Sequence, residues 1–153
     1  MTNDIFTWFE DLAPGQHYAA GPVEVTEADV LAFGRKFDPQ DFHTDPALAK
    51  DTMFGGLIAS GWHTAALTMR MIVAAMPKMK GGMVGVAVEK MNWLRPVRPG
   101  DTLTYKGEIT DLFPLAPDAT RGTFRVKSTT FNQKGKAVLY METLVSAPRR
   151  PAQ

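Results

Sequence analysis

The segment 37-FDPQDFHTDP-46 places an acid and an imidazole between two stretches of helical periodicity. Asp38 and His43 are five positions apart, and a carboxylate beside an imidazole can take up and release protons near neutral pH. Pro39 disfavours helix at Asp38, so we expect both side chains outside regular structure, where a loop can bring them together. The alternative is turn chemistry, in which Asp precedes Pro and His is a hydrogen-bonded connector. The spacing alone leaves both interpretations open.

A second candidate group is Ser60-Gly61-Trp62-His63, near the start of an apolar helix predicted over residues 58–76. A helix N-terminus offers unpaired N–H groups, and glycine lets a carbonyl group approach the backbone closely. If the substrate is a thioester, Gly61, with Ser60 and Trp62 beside it, would therefore serve as an oxyanion hole. The alternative is that Gly61 only permits close packing. His63 is expected to be a hydrogen-bonded core histidine, and Ser60 lacks the Gly-x-Ser-x-Gly context of a nucleophile.

Composition excludes several classes of function. The chain has 153 residues, no cysteine and a net charge of +1, which indicates one domain over residues 1–147. We expect the polar, proline-rich tail at 148–153 to be disordered. Lys and Arg are scattered, so no nucleic-acid surface is predicted. Three histidines without clustered partners give no metal site. Polar residues interrupt the longest apolar run and no signal peptide is visible, so we expect a cytoplasmic protein without a membrane partner.

The elements around these residues predict an α+β fold. Thr26 is expected to cap a helix that ends near Asp38, and Thr44 or Asp45 a short helix with Pro46 at its first position. The helix over 58–76 is apolar on nearly all faces and should be buried. One segment with strand character precedes this helix, at residues 16–25. Four more follow it, at residues 83–94, 102–111, 122–131 and 137–146. A curved antiparallel β-sheet wrapped around a long buried central helix accounts for this order.

Two segments of the chain resemble a known family. Residues 33–71, FGRKFDPQDFHTDPALAKDTMFGGLIASGWHTAALTMRM, and residues 95–103, RPVRPGDTL, resemble the MaoC-like dehydratases, the family of (R)-specific enoyl-CoA hydratases. The resemblance implies the hot-dog fold. It also implies that Asp38 and His43 are a catalytic pair, and that the backbone N–H of Gly61 binds the thioester oxygen.

The implied reaction is reversible syn addition of water to a trans-2-enoyl-CoA, which yields a 3-hydroxyacyl-CoA. No metal or redox cofactor is needed, and coenzyme A enters only as part of the substrate. Arg95 and Arg98 are candidates for the coenzyme A phosphates, with solvated surface as the alternative for either. Hot-dog sheets pair edge to edge, so the resemblance also implies a homodimer or a higher oligomer of dimers.

The chain departs from the family pattern in the loop and on the predicted central helix. Gln40 stands where asparagine is usual and Asp41 where proline is usual, while a serine of some members falls near Met69.

Two rival functions remain. A hot-dog acyl-CoA thioesterase commonly uses an acid on the central helix, and residues 57–76 contain none. A non-catalytic module that binds acyl thioesters is the other.

Overall fold

The computed structural model describes residues 6–152. Residues 1–5 and residue 153 lie outside the described residues. The first set begins the segment in which no signal peptide is expected, and residue 153 is the last of the predicted tail. After a short 3-10 helix (Phe9–Asp11), the helices are α1 (Glu27–Phe37), α2 (Asp41–Thr44), α3 (Pro46–Ala49) and α4 (Gly61–Ala75). The strands are β1 (His17–Glu24), β2 (Val84–Trp93), β3 (Thr102–Leu112), β4 (Arg121–Phe131) and β5 (Ala137–Pro148).

The five strands form one antiparallel sheet in the order β1-β3-β4-β5-β2. All five predicted strands are confirmed, with ends that differ by no more than two residues. The alternation in β3 is confirmed as well, because Leu103, Tyr105 and Ile109 are fully buried. These side chains face α4 and the helical segments, so the α+β architecture follows from strand periodicity and one central helix.

α4 begins at Gly61 and not at residue 58 as predicted. The N–H groups of Ile58 and Ala59 donate to backbone carbonyls of α2 and of the segment after β2, at 3.0 and 2.8 Å. That pairing keeps residues 58–59 extended, and Ser60 then caps the helix by accepting a hydrogen bond from the Trp62 N–H at 3.3 Å. The apolar pattern could not show this, because it continues unbroken across the cap.

α4 is covered on one side only. Its buried residues are His63, Thr64, Thr68 and Met71, whereas Trp62, Met69 and Val73 are at least half exposed. Apolar side chains of α4 are therefore exposed on the side away from the sheet. No helix within residues 6–152 is long and apolar enough to cross a membrane.

The C-terminal segment is held further along than expected. β5 extends through Pro148, past the predicted start of a tail. Arg149 Nε then lies 2.9 Å from Glu10 Oε1, and Arg150 Nη2 lies 2.6 Å from Asp11 Oδ1. Partly exposed pairs of this kind contribute little to stability, but they join the end of the chain to its 3-10 helix.

Candidate active site

Asp38 and His43 meet as predicted. His43 Nε2 lies 3.2 Å from Asp38 Oδ2, with the imidazole buried and the carboxylate about one-fifth exposed. Asp38 ends α1 because Pro39 cannot continue the helix. The prediction that both residues lie outside regular structure is wrong for His43, which lies on the short helix α2. Four residues of helix were too short to give a periodic signal.

The two unusual loop residues, Gln40 and Asp41, fit this geometry. Gln40 is the N-cap residue of α2, and its Nε2 donates a hydrogen bond to Asp38 Oδ1 at 2.7 Å. Asp41 is the first residue of α2, a position that suits an acid as well as proline, because the helix N-terminus is positive and its first N–H groups are unpaired. The departures therefore preserve the turn.

A backbone carbonyl fixes the tautomer of His43. Nδ1 lies 2.8 Å from the Ile58 carbonyl oxygen, which can only accept a hydrogen bond. Nδ1 therefore carries a hydrogen, and in the neutral imidazole Nε2 is an acceptor directed at Asp38. This orientation is held by a contact across 15 positions of sequence.

The Asp38 carboxylate is held in its ionised form. Partial burial on its own would raise the pKa of Asp38, but hydrogen bonds from Gln40 and Ser60 and the nearby His43 together bring the pKa below its ordinary value of 3.8. Ser60 Oγ donates to Oδ2 at 2.7 Å. At neutral pH, Asp38 is therefore a carboxylate that accepts protons.

Gly34 on α1 permits the close approach of α1 to α2, and sequence reasoning missed it. A Cβ atom at Gly34 would lie 2.5 Å from the backbone oxygen of His43 and 2.9 Å from its Cβ. A clash of the added Cβ atom with backbone atoms cannot be relieved by rotation of a side chain. A glycine inside a helical pattern was the available signal, since it costs helix stability and therefore points to a packing requirement.

A cavity of about 410 Å3 opens at this pair. It brings together five of the seven predicted site residues, namely Asp38, His43, Gly61, Trp62 and Arg95. Ser60 is fully buried beneath it, in contact with Asp38. The rest of the lining is largely apolar and comprises Phe42, Phe54, Ile58, Ala59, Thr64, Trp93, Leu94, Pro96 and Val97.

Gly61 lies against Trp93, another residue that sequence reasoning missed. A Cβ atom at Gly61 would lie 2.6 Å from Trp93 Nε1 and 2.8 Å from Cε2 of the indole. The Trp93 ring also packs edge-on against Trp62, with centroids 5.2 Å apart. Gly61 therefore permits close packing against Trp93. As the first residue of α4, Gly61 also presents a backbone N–H with no partner inside the helix.

Of the two candidate phosphate-binding arginines, only Arg95 reaches the cavity. Its Nη1 donates to the Ala137 carbonyl oxygen at 2.6 Å, and the side chain is exposed at the cavity rim. Arg98 Nη2 donates to the Phe54 carbonyl oxygen at 2.5 Å, and Arg98 is not among the described residues that line the cavity.

His63 belongs to the core and not to the cavity lining. It stacks on Phe33, with ring centroids 4.9 Å apart and planes 8° from parallel. Its Nδ1 is buried without a hydrogen-bond partner among the described residues, so the expectation that this histidine is fully hydrogen-bonded is wrong. Burial lowers the pKa of His63 below 6.5, against an opposing effect of Asp29.

His63 should make folding stability depend on pH. Because its pKa is lower in the folded state, the unfolded state binds the proton more readily, so its contribution is complete above about pH 6.5 and declines as pH falls towards the folded-state pKa. We expect His63→Gln to reduce the fall in Tm between about pH 7.5 and about pH 5.5. Thermal unfolding at both pH values measures this. His17→Gln, at an exposed histidine of β1, is the control, and an unchanged fall in Tm for His63→Gln would contradict the assignment.

A second cavity, of about 880 Å3, lies between α4 and β2. Its lining is mainly aliphatic and methionine side chains, among them Met69, Ile72, Val73, Met76, Val86 and Val88. Within residues 6–152, no group of three or more His, Asp or Glu side chains is arranged to hold a metal ion.

Comparisons with known proteins agree with this architecture. A family model described as a MaoC like domain matches residues 10–130. The uncharacterized protein YdeM of Bacillus subtilis is 29% identical over 140 residues, which cover 92% of this chain and 98% of that protein. The (R)-specific enoyl-CoA hydratase of Rhodospirillum rubrum is 29% identical over 147 residues, which cover 95% of each.

The crystal structure of a MaoC-like dehydratase from Rhodospirillum rubrum has a TM-score of 0.87 and 37% sequence identity to this chain. The match covers 95% of this chain and 99% of that one. The family thus includes hydro-lyases, and its members share the sheet that wraps around a central helix. With the hot-dog fold, and with a family match over most of its length, this chain belongs to the MaoC-like dehydratase domains.

Proposed function

We propose that the protein is a hydro-lyase that adds water reversibly to a trans-2-enoyl-CoA and yields a 3-hydroxyacyl-CoA. The observation that carries this proposal is the Asp38–His43 pair at 3.2 Å, at the mouth of a largely apolar cavity. The relative named (R)-specific enoyl-CoA hydratase supports the same reaction class.

The protonation of the pair supports a water-binding role. His43 Nδ1 carries a hydrogen, so in neutral imidazole Nε2 is an acceptor, and Asp38 Oδ2 is an acceptor too. A water molecule can donate one O–H to each of them, which leaves its lone pairs directed outwards to the substrate. Asp38 and His43 would together hold and activate that water.

The proposed step balances without a cofactor. The water oxygen bonds to C3 of the enoyl group while the C2–C3 π bond breaks, and the pair receives the proton that the water loses. The protonated member of the pair then delivers a proton to C2 on the same face. The transient charge on the thioester oxygen would be stabilised by the Gly61 N–H at the positive end of α4.

We propose that coenzyme A enters as part of the substrate, with Arg95 at the cavity rim as the candidate phosphate contact. The guanidinium is exposed there and already oriented by its bond to Ala137, and arginine suits phosphate recognition.

The test is a panel of purified enoyl-CoA thioesters, from crotonyl-CoA to longer and branched chains. Loss of the enoyl-thioester absorbance with formation of the 3-hydroxyacyl product supports the proposal. Release of free thiol instead would identify a thioesterase. Saturable binding without turnover on any member would identify a module that only binds acyl thioesters.

We also propose that two copies of the chain pair through β2. This strand is at the edge of the sheet, and Val84, Val86 and Val88 on it are more than half exposed. A long apolar edge without a partner favours aggregation unless another strand covers it. The opposite edge, β1, contains Pro22, which has no N–H to donate to a neighbouring strand.

The expected result for the 16.8 kDa chain is the mass of a dimer by size-exclusion chromatography with light scattering. Val86→Asp places a charge in the proposed apolar interface, so we expect it to shift the protein to monomer. Ala19→Asp, an exposed position on β1, is the matched control and should remain dimeric. A monomeric wild-type protein would contradict the proposed dimer.

A further inference from the structure

We propose that Ser60 is a positioning residue of this active site, which holds the Asp38 carboxylate in the orientation that the reaction needs. Its Oγ donates to Asp38 Oδ2 at 2.7 Å across 22 positions of sequence. The residue is fully buried. This inference rests on the proposed hydration reaction and deepens it.

The hydrogen-bond inventory of Ser60 excludes the substrate-binding role that its position beside Gly61 suggested. A serine hydroxyl has one hydrogen to donate, and here it points to Asp38. The same oxygen accepts the Trp62 N–H at 3.3 Å. Ser60 does not line the cavity, so its hydroxyl has neither the hydrogen nor the access to bind a thioester oxygen.

Ser60 acts on Asp38 together with Gln40. Gln40 fixes Oδ1 at 2.7 Å, and Ser60 fixes Oδ2, the oxygen that faces His43 Nε2. Two donors on opposite oxygens prevent the carboxylate from rotating and leave a lone pair of Oδ2 for the reacting water. The donor on Oδ2 is a buried N-cap residue, whereas Gln40 is exposed, so Ser60 is the better-fixed of the two.

The charged surroundings of Asp38 make the effect of Ser60 measurable. His43 on α2 is its nearest titratable group, Arg95 after β2 lines the same cavity, and α4 contributes only the positive end of its dipole. Loss of the Ser60 donor removes one of the interactions that lower the pKa of Asp38 and leaves its burial unchanged. The acidic limb of the pH–rate profile should therefore move to higher pH.

The experiment compares Ser60→Ala and Ser60→Gly on the best enoyl-CoA of the panel. Both remove the hydroxyl, but glycine is the better N-cap, so the two variants differ in stability and share the lost contact. We expect kcat to fall about 10- to 100-fold in both, the scale of a lost hydrogen bond to a charged group. KM should change little, and the acidic limb should move to higher pH.

Thr26→Ala is the matched control. Thr26 caps α1 by accepting the Asp29 N–H at 3.1 Å and lies away from the cavity, so this variant loses a helix cap without touching Asp38. It should lose stability and keep the wild-type pH profile. If both Ser60 variants keep the wild-type acidic limb and kcat, Ser60 does not position Asp38.

Titration of the Asp38 carboxyl carbon by NMR separates this proposal from the proposed function. A higher pKa in Ser60→Ala would support the positioning contact even if the wild-type protein hydrates no thioester, in which case the hydratase assignment alone fails. Hydration by the wild type, with the same Asp38 titration in both proteins, would overturn the positioning role alone.

Discussion

Asp38→Asn and His43→Ala are each expected to lower kcat/KM for the best enoyl-CoA by about 10²–10⁴-fold, the usual contribution of an acid–base group. Asn keeps the shape of Asp38 but loses the acceptor charge that holds the water. Ala at His43 removes Nε2 together with the Nδ1 hydrogen bond to Ile58. Steady-state rates from the loss of enoyl-thioester absorbance measure both effects.

Asp41→Asn is the matched control for the Asp38 substitution. It makes the same chemical change on the same short segment, at an exposed carboxylate that does not line the cavity. We expect its rate to stay close to wild type. Wild-type rates for both Asp38→Asn and His43→Ala, in folded protein, would show that the pair is not catalytic.

Gly34→Ala is expected to lower both the stability of the fold and the activity, although the helix propensity of alanine alone would predict a more stable protein. Alanine in a helix interior normally gains about 1 kcal/mol over glycine. At this position the new Cβ would lie 2.5 Å from the His43 backbone oxygen, while ordinary contact begins at 3.4 Å. α1 and α2 must therefore separate by about 1 Å, and overpacking of this kind costs about 1–3 kcal/mol.

The same displacement moves the His43 ring relative to Asp38, and misplacement by about 1 Å can cost about 10²-fold in rate. Chemical denaturation and the hydration assay measure the two effects. Gly56→Ala is the control, because its Cβ would meet only the Arg98 side chain, at 3.5 Å. An active, more stable Gly34→Ala protein would show that α1 and α2 adjust without moving the site.

Local chemistry made much of the fold predictable. Thr26 accepts the Asp29 N–H, and Asp45 accepts the N–H groups of Ala47 and Leu48 with Pro46 at the first position of α3. Such caps satisfy N–H groups that any helix start leaves unpaired, so they are visible in sequence. The alternation of β3 is visible for the same reason, since strand geometry fixes which side chains share a face.

Less of the candidate active site could be predicted, although the meeting of Asp38 and His43 could. The spacing of Asp38 and His43, with Pro39 between them, indicated two groups that could meet. It did not indicate the helical turn that carries His43, because four residues are too few to show periodicity. It also left two roles open for Gly61, close packing and oxyanion binding. The contact with Trp93 establishes only the packing role.

Local patterns were therefore enough to predict the five strands, α1, α3 and α4, their order along the chain, and the pairing of Asp38 with His43. The Nδ1 hydrogen of His43, which the Ile58 carbonyl fixes, and the partner of the Ser60 hydroxyl became evident only in the folded chain. The physical reason is the distance along the chain. Caps and alternation depend on neighbours within a few residues, whereas these hydrogen bonds join residues 15 and 22 positions apart that only the packed fold brings together.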